Sequence, residues 1–270
     1  MIIVTVSFNY PPEYNLADYE MLARVFRHSC SKYCPDARFI DIKVDPPVLP
    51  EGDRHALNFL YNTIKLEEWL RIIEGTDENI VLADADMVAI RPFSEAEIFD
   101  SHFDVGYTER TEVRMRKDKN TRQYWGEEKI RRMPMNGGIM FVKPTESARD
   151  FFRQYKEVNQ RLYDNEYEHQ KWRVKYAGMN QAAFGCLFET GQYEAIVKSF
   201  PCRTWNAVDT DWPHITRCGS VFVHMKSRLR RLVLARKQPF GNYKEAMKLW
   251  YKEAAEIGES VWEENYYERA

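Results

Sequence analysis

The sequence predicts an α/β fold, in which a single Rossmann-like domain has a mostly parallel central sheet flanked by helices. Two observations lead to this prediction. Short apolar runs alternate along the chain with longer segments whose apolar residues recur at helical spacing, and this alternation is typical of parallel strand–helix–strand units. The chain also has 270 residues, of which 44% are hydrophobic and 30% charged, a size and composition that suit one globular domain.

The predicted elements alternate between strands and helices from the first residue onward. They are strands at 1–8, 38–44, 79–83, 103–107, 136–142, 195–198 and 221–224, and helices at 15–32, 53–73, 146–163, 179–189 and from 243 onward. The polar stretch after the first strand is expected at the carboxyl end of the sheet, where open α/β sheets bind ligands. We expect residues 1–240 to form the main domain and 241–270 a helical extension packed on it.

The pair Asp84 and Asp86 is the most informative feature of the sequence. Both follow the apolar strand predicted at 79–83, and residues two apart on an extended chain point the same way. Two carboxylates held this close repel each other unless a cation lies between them. Oxygen ligands of this kind suit magnesium or manganese, so the pair indicates a metal site that would also bind a diphosphate. The alternative is a pair of solvated carboxylates in a turn.

Four segments in order along the chain resemble glycosyltransferases with the GT-A fold. The stretch 79–93 is similar to their strand with a metal-binding Asp-x-Asp triplet, and 135–142 is similar to their Asn-Gly-Gly strand. The segment 178–184 resembles the start of a helix in those enzymes, with Asn180 where aspartate is usual. The segment 222–226 resembles the C-terminal His and Lys of family 8, the glycogenin-like and galactosyltransferase-like enzymes, but lacks the glycine and Pro-Trp expected after the His.

The resemblance implies a metal-dependent glycosyltransferase whose donor is a nucleotide-diphosphate sugar, with a UDP-sugar favoured, and whose metal is Mn²⁺ or Mg²⁺. It implies metal ligands at Asp84, Asp86 and His224, with Asp84 also placed near the donor ribose. The other residues implied to contact the donor are Phe8, Asn9 and Tyr10 at the base and ribose, Lys65, Asn136 and Gly137 further along, and Lys226 at the leaving diphosphate. Asn180 and Gln181 are implied to line the sugar pocket and are candidates for the chemistry.

Each of these residues also has an ordinary structural interpretation, which the sequence leaves open. His224 at the end of an apolar strand is compatible with a hydrogen-bonded structural histidine. Residues 136–138 would also suit a tight turn, and Asn180 with Gln181 would suit a helix cap. Lys226 begins a basic run that would also suit a solvated strand.

Asp209 and Asp211 lie between Trp205 and Trp212, and acidic residues beside aromatic ones commonly bind sugars. We therefore predict an acceptor wall or a catalytic base at these two carboxylates. The alternative is a surface loop whose tryptophans are buried.

Two basic segments suggest an anionic acceptor. Residues 110–132 contain nine Arg or Lys against four acids, and residues 226–237 contain six with no acid. If both segments flank the donor site, they would attract a phosphorylated glycan, a lipid-linked phosphate or DNA that carries a modified base. The alternative is a solvated basic face.

Other features bear on location and on competing functions. No apolar run approaches the ~20 residues that span a bilayer, residues 1–6 do not resemble a signal peptide, and the five scattered cysteines suit a reducing compartment. We therefore expect a soluble cytoplasmic protein without a transmembrane segment.

One alternative function is a sugar-1-phosphate nucleotidyltransferase, although the loop 7–14 has no glycine to hold a triphosphate. Another is a non-catalytic nucleic-acid-binding protein, which the net charge of −2 does not favour.

Overall fold

A computed structural model of the protein describes residues 1–8, 18–45, 54–110, 135–176 and 178–262. These ranges contain eight strands and nine α-helices. The strands are β1 Ile2–Phe8, β2 Arg38–Val44, β3 Ile80–Asp84, β4 Met87–Ala89, β5 Val105–Glu109, β6 Met135–Val142, β7 Val197–Pro201 and β8 Phe222–His224. The helices are α1 Tyr19–Tyr33, α2 Arg54–Glu74, α3 Glu95–Phe99, α4 Glu146–Asp164, α5 Glu166–Lys175, α6 Met179–Phe188, α7 Cys202–Trp205, α8 Arg228–Leu234 and α9 Lys244–Glu256.

The central sheet has six strands in the order β2-β1-β3-β6-β5-β7. Strand β1 pairs in parallel with β2 and β3, and β5 pairs in parallel with β7. Strand β6 runs antiparallel to both of its neighbours, β3 and β5. Three of the five pairings are therefore parallel, and the predicted α/β fold with a mostly parallel sheet is confirmed.

Helices pack on both faces of this sheet because successive residues of its central strands, which point to opposite faces, are nearly all buried. In β1, Ile2 and Val4 belong to a core cluster with Trp69 of α2 and Phe151 of α4. Ile3 points to the opposite face, where a second cluster includes residues of α1. A third cluster joins α1, β8 and α9.

A second, two-stranded sheet lies beside the first. It consists of β4 and β8, which run antiparallel with Met87 opposite His224. The sequence did not predict β4 because three residues are too short to show a periodic pattern. This small sheet is the element that brings the distant motifs of the chain together.

Other boundaries differ from the predictions for local reasons. Strand β7 begins at Val197 and not at 195, because the backbone before it forms a turn in which the amide of Ile196 donates to the carbonyl of Tyr193 (3.1 Å). The basic run after Lys226, for which a solvated strand was an alternative, contains the helix α8. Among the helices of the described ranges, none combines the length and the apolar character needed to cross a membrane.

Candidate functional site

The two predicted aspartates lie where β3 ends and the chain turns into β4. Asp84 is the last residue of β3 and stands opposite Val6 of β1. Asp86 follows after one residue, and its carbonyl accepts a hydrogen bond from the amide of Met225 (2.7 Å), directly after β8. Pairing of β4 with β8 thus places His224 beside both carboxylates, as the resemblance implies.

Three ligand atoms converge at this point. His224 Nε2 lies 3.2 Å from Asp86 Oδ1 and 3.5 Å from Asp84 Oδ2. Asp86 and His224 are buried, and Asp84 is half-buried. Two carboxylate oxygens and an imidazole nitrogen are a donor set that fits Mn²⁺ or Mg²⁺, with the remaining coordination positions left to water or to a phosphate.

A hydrogen-bond partner holds the far side of each of these ligand side chains. Lys65 Nζ donates to Asp84 Oδ1 (2.8 Å), and Arg230 Nη1 donates to Asp86 Oδ2 (2.8 Å). His224 Nδ1 lies 3.0 Å from Asn206 Oδ1. Burial by itself would raise the pKa of Asp86, but His224 and Arg230 outweigh it and hold that pKa well below its usual value. The Asp86 carboxylate is therefore ionised and ready to bind a cation.

The ligand atoms face a cleft of about 370 Å³. Three cationic side chains contribute to its wall, together with aromatic and amide side chains and the backbone of the Asn-Gly-Gly segment. The residues predicted from the sequence that line it are Phe8, Lys65, Asp84, Asp86, Asn136, Gly137, Asn180, Gln181, His224 and Lys226. Tyr19, Tyr61, Asn62 and Arg230 line it as well.

Comparisons with known proteins agree with this architecture. A glycosyltransferase involved in the glycosylation of the major capsid of PBCV-1 is similar over 92% of this chain and 100% of its own, with 16% sequence identity and a TM-score of 0.52. The bifunctional glycosyltransferase WbbM is similar over 94% of this chain and 49% of its own, with 8% identity and a TM-score of 0.51. The chain has the GT-A fold. Neither a protein-family model nor a curated protein matches the sequence.

Within this GT-A fold, one glycine of the Asn-Gly-Gly segment is required by the candidate metal ligand His224, which packs on it. A Cβ atom at Gly138 would lie 2.5 Å from His224 Cε1, closer than a carbon–carbon contact allows. The neighbouring Gly137 has room, since its nearest atom would be Gln181 Cγ at 3.6 Å. Both glycines lie inside strand β6, so they do not form the tight turn that was an alternative, and Gly138 leaves space for the imidazole.

Some predicted residues lie elsewhere or outside the described residues. Asn9 and Tyr10 fall in 9–17, and the first basic segment falls almost wholly in 111–134, two ranges that the structure does not describe. The cleft lining, as far as it is described, does not include Asp209 or Asp211. Asp209 accepts a hydrogen bond from Arg110 (3.0 Å), and Asp211 accepts one from the amide of Val208 (3.1 Å). Their role as an acceptor wall or base stays a prediction.

Two residues that hold the candidate metal ligands in place were not predicted from the sequence. Arg230 lies in the basic run that begins at Lys226, and its side chain reaches Asp86 only because residues 228–234 form the helix α8. Asn206 lies between Trp205 and Asp209, and no local sequence pattern indicates a role for an asparagine at this position. Its contact with His224 follows from the pairing of Ala207 with Val223, which only the folded chain shows.

A second cluster of possible metal ligands has an internal cation. His28, Glu253 and Glu256 lie close together where α1 meets α9. Lys32 Nζ is 3.1 Å from Glu253 Oε1 and 2.6 Å from Glu256 Oε1, and Tyr33 donates to Glu253 (3.0 Å). The ammonium group of Lys32 already binds the carboxylates that a metal ion would need. This cluster is therefore an ion-pair network between two helices.

Proposed function

We propose that this protein is a metal-dependent glycosyltransferase that moves a sugar from a nucleotide-diphosphate sugar, with a UDP-sugar favoured, to a hydroxyl of an acceptor. The proposed metal is Mn²⁺ or Mg²⁺, held by Asp84, Asp86 and His224. The observation that carries the proposal is the convergence of the three ligand atoms, within 4.8 Å of one another, at the wall of a cleft in a GT-A fold. The fold raises the expectation of sugar transfer, and the donor set adds a site for the divalent metal that the proposed reaction requires.

The charges of the site match a diphosphate leaving group. Lys65 and Arg230 offset the two carboxylates, so that a bound divalent ion leaves the site with a positive charge close to that of the ion itself. When bound, the ion would neutralise the negative charge that develops on the diphosphate as its bond to the sugar breaks. We propose that Lys226 and Arg230, both on the cleft wall, bind the diphosphate oxygens and orient them for this step.

Amide groups that line the same cleft suit the donor sugar. Asn136 is buried and its Oδ1 accepts from the amide of Gly138 (3.2 Å), whereas its Nδ2 has no hydrogen-bond partner among the described residues. A buried donor without a partner costs free energy unless a ligand satisfies it. We propose that a sugar hydroxyl accepts from Asn136 Nδ2, beside Asn180 and Gln181 at the start of α6.

The acceptor that we propose has a hydroxyl and an anionic group, such as a phosphorylated glycan, a lipid-linked phosphate or a modified DNA base. Support comes from the residues around α8, which follows directly after the strand that carries His224. Arg228, Arg231, Arg236 and Lys237 are all exposed there. Their positive potential would increase the local concentration of such an acceptor near the cleft.

We also propose that residues 1–240 form the transferase domain, with 241–270 as an extension packed on it. Support comes from α9, whose Trp250 and Met247 belong to one core cluster with Val25 of α1 and Val223 of β8. A cytoplasmic location is proposed as well, and the five cysteines, all free, support a reducing compartment.

The test combines the purified chain with a panel of nucleotide sugars, in the presence of Mn²⁺, Mg²⁺ or a chelator. We expect release of nucleoside diphosphate and free sugar from at least one donor, lost on chelation and in Asp86→Asn and His224→Gln. Hydrolysis that survives both substitutions would contradict the proposed metal site. Pyrophosphate release from a nucleoside triphosphate and a sugar 1-phosphate would indicate a nucleotidyltransferase instead. Salt-sensitive DNA binding that persists in Asp86→Asn, without any turnover of the panel, would indicate a nucleic-acid-binding protein.

A further inference from the structure

A chain of buried hydrogen bonds runs from the proposed metal ligand His224 into the core. His224 Nδ1 lies 3.0 Å from Asn206 Oδ1, and Asn206 Nδ2 donates to Thr108 Oγ1 (2.8 Å). Thr108 Oγ1 in turn donates to the backbone carbonyl of Asn136 (2.7 Å). All four residues are buried, and Asn206 and Thr108 are completely so. Water therefore does not substitute for any of these partners.

The direction of every hydrogen bond in this chain follows from the bond between Thr108 and the backbone carbonyl of Asn136. A carbonyl oxygen only accepts, so the single hydroxyl proton of Thr108 goes to Asn136. The hydroxyl oxygen of Thr108 must then accept from Asn206, which places the Asn206 amide nitrogen toward Thr108 and its oxygen toward His224. That oxygen also only accepts, and therefore His224 Nδ1 must carry a proton. In the neutral ring, the lone pair is consequently on Nε2, the atom that faces Asp84 and Asp86.

The backbone holds both ends of the Asn206–His224 contact in place. The backbone amide of Asn206 donates to the carbonyl of Cys202 (2.7 Å), and the backbone amide of His224 donates to the carbonyl of Ala207 (2.9 Å). The imidazole also packs closely on Gly138, where an added Cβ atom would lie 2.5 Å from His224 Cε1 and 2.6 Å from His224 Nδ1. The orientation of the Asn206 side-chain amide therefore decides which ring nitrogen of His224 carries the proton and which is able to bind a metal.

We infer that Asn206, oriented by Thr108, is a positioning residue that fixes the imidazole of His224 with Nδ1 protonated and Nε2 directed to the divalent metal. This inference rests on the proposed function only in requiring a metal at Asp84, Asp86 and His224. It requires neither a particular sugar nor an acceptor. Partners of this kind typically change metal affinity by about 10- to 100-fold, because they set the ring orientation and the basicity of the ligating nitrogen.

The experiment measures the affinity for Mn²⁺ alone by electron paramagnetic resonance, using two matched pairs of variants. Asn206→Leu removes the acceptor at nearly constant volume, and Asn206→Asp keeps an acceptor for His224 Nδ1, although it loses the donor to Thr108. Thr108→Val removes the hydroxyl that orients the amide, and Thr108→Ser restores it. We expect about 10- to 100-fold weaker Mn²⁺ binding in Asn206→Leu, a smaller loss in Thr108→Val, and affinities within a few-fold of the original chain in Asn206→Asp and Thr108→Ser.

A spectroscopic measurement tests the tautomer directly. In the metal-free chain labelled with ¹⁵N-histidine, at a pH at which the imidazole is neutral, the His224 signals, assigned by their loss in His224→Gln, should show a proton on Nδ1 and none on Nε2. Asn206→Leu should remove this preference. A role of Asn206 in folding alone would lower the unfolding temperature without changing the tautomer.

The outcomes separate this inference from the proposed function. If Asn206→Leu and Thr108→Val bind Mn²⁺ as tightly as the original chain while His224→Gln does not, the positioning role is overturned and the metal site stands. Equal weakening in both members of each pair, or a proton on Nε2, also overturns the positioning role. If the original chain does not bind Mn²⁺, the metal-dependent function and this inference both fall. If Asn206→Leu does not fold, the comparison of Thr108→Val with Thr108→Ser decides whether the positioning role stands.

Discussion

A methyl group added at Gly138 is the smallest change that should disable the proposed metal site. In Gly138→Ala, the new Cβ would lie 2.5 Å from His224 Cε1 and 2.6 Å from His224 Nδ1, with Asn206 Nδ2 at 3.2 Å. An ordinary contact begins near 3.4 Å, so the imidazole would have to move by about 0.9 Å, the difference between 3.4 and 2.5. Its hydrogen bond to Asn206 and its position against the two carboxylates would not survive such a shift.

The size of the effect follows from this displacement. Moving a group that must meet its partners by about 1 Å typically costs about 100-fold in rate, and losing the support of a metal ligand costs about 10- to 100-fold in affinity. Overpacking a buried contact also destabilises a fold by about 1–3 kcal/mol. We therefore expect Gly138→Ala to weaken Mn²⁺ binding at least about 10-fold and to reduce donor hydrolysis by about 100-fold, with an unfolding temperature a few degrees lower.

The adjacent glycine provides the control. Gly137→Ala adds the same methyl group one residue away, where the nearest atom is Gln181 Cγ at an ordinary 3.6 Å. Its Mn²⁺ affinity, measured by electron paramagnetic resonance, should equal that of the original chain. If Gly138→Ala binds Mn²⁺ as tightly as Gly137→Ala does, the packing of His224 on residue 138 does not control the site, and the reasoning is refuted.

Three further predictions concern other groups. Arg230→Met removes the guanidinium 2.8 Å from a buried carboxylate and should reduce the efficiency of donor hydrolysis at least about 10-fold. Lys32→Met leaves a buried glutamate of α9 without its cation, and urea unfolding should show a loss of about 2–4 kcal/mol. Burial raises the pKa of Cys202 from its ordinary 9.0 to about 11, so this thiol should not react with a thiol reagent near pH 8 in the folded chain. Because that pKa is raised on folding, its contribution to stability is complete below about pH 9 and is lost as the pH rises through about 11, a decline that Cys202→Ala should reduce.

Matched variants check these expectations. Arg228→Met removes an exposed arginine of the same helix and should leave donor hydrolysis nearly unchanged, so an equal loss in both arginine variants would contradict the specific role of Arg230. Lys43→Met breaks an ion pair whose two partners are each 50% exposed, and it should leave the urea midpoint nearly unchanged. Among the cysteines, the half-buried Cys218 should react first. Rapid reaction of Cys202 would mean that its surroundings open readily in solution.

The fold could be predicted from the sequence wherever local pattern and tertiary environment agree. The apolar run before Asp84 indicated a buried strand because burial on both faces requires continuous apolar residues. The spacing of Asp84 and Asp86 indicated a shared direction, and the structure places both at one cleft. The association of His224 with them came from the family resemblance, since nothing in the local pattern relates it to residues so far away.

The supporting residues could not be predicted because their roles depend on long-range pairing. Asn206 faces His224 only because its neighbour Ala207 bridges to Val223. Arg230 reaches Asp86 only because the basic run folds into a helix next to the small sheet. A polar residue in isolation carries no information about the partner that satisfies it, and this is why the ligands were easier to find than the groups that orient them.

The small β4–β8 sheet has a consequence for how the chain reaches its active form. Both aspartates belong to the first third of the chain, and the imidazole is contributed only when residues near position 224 pair with β4. Contacts this distant in sequence form late, since a large loop must close before they contribute any stability. A growing or partly folded chain would carry both acidic side chains without the means to retain an ion. Ion uptake would therefore mark the moment at which the two halves of the molecule have docked.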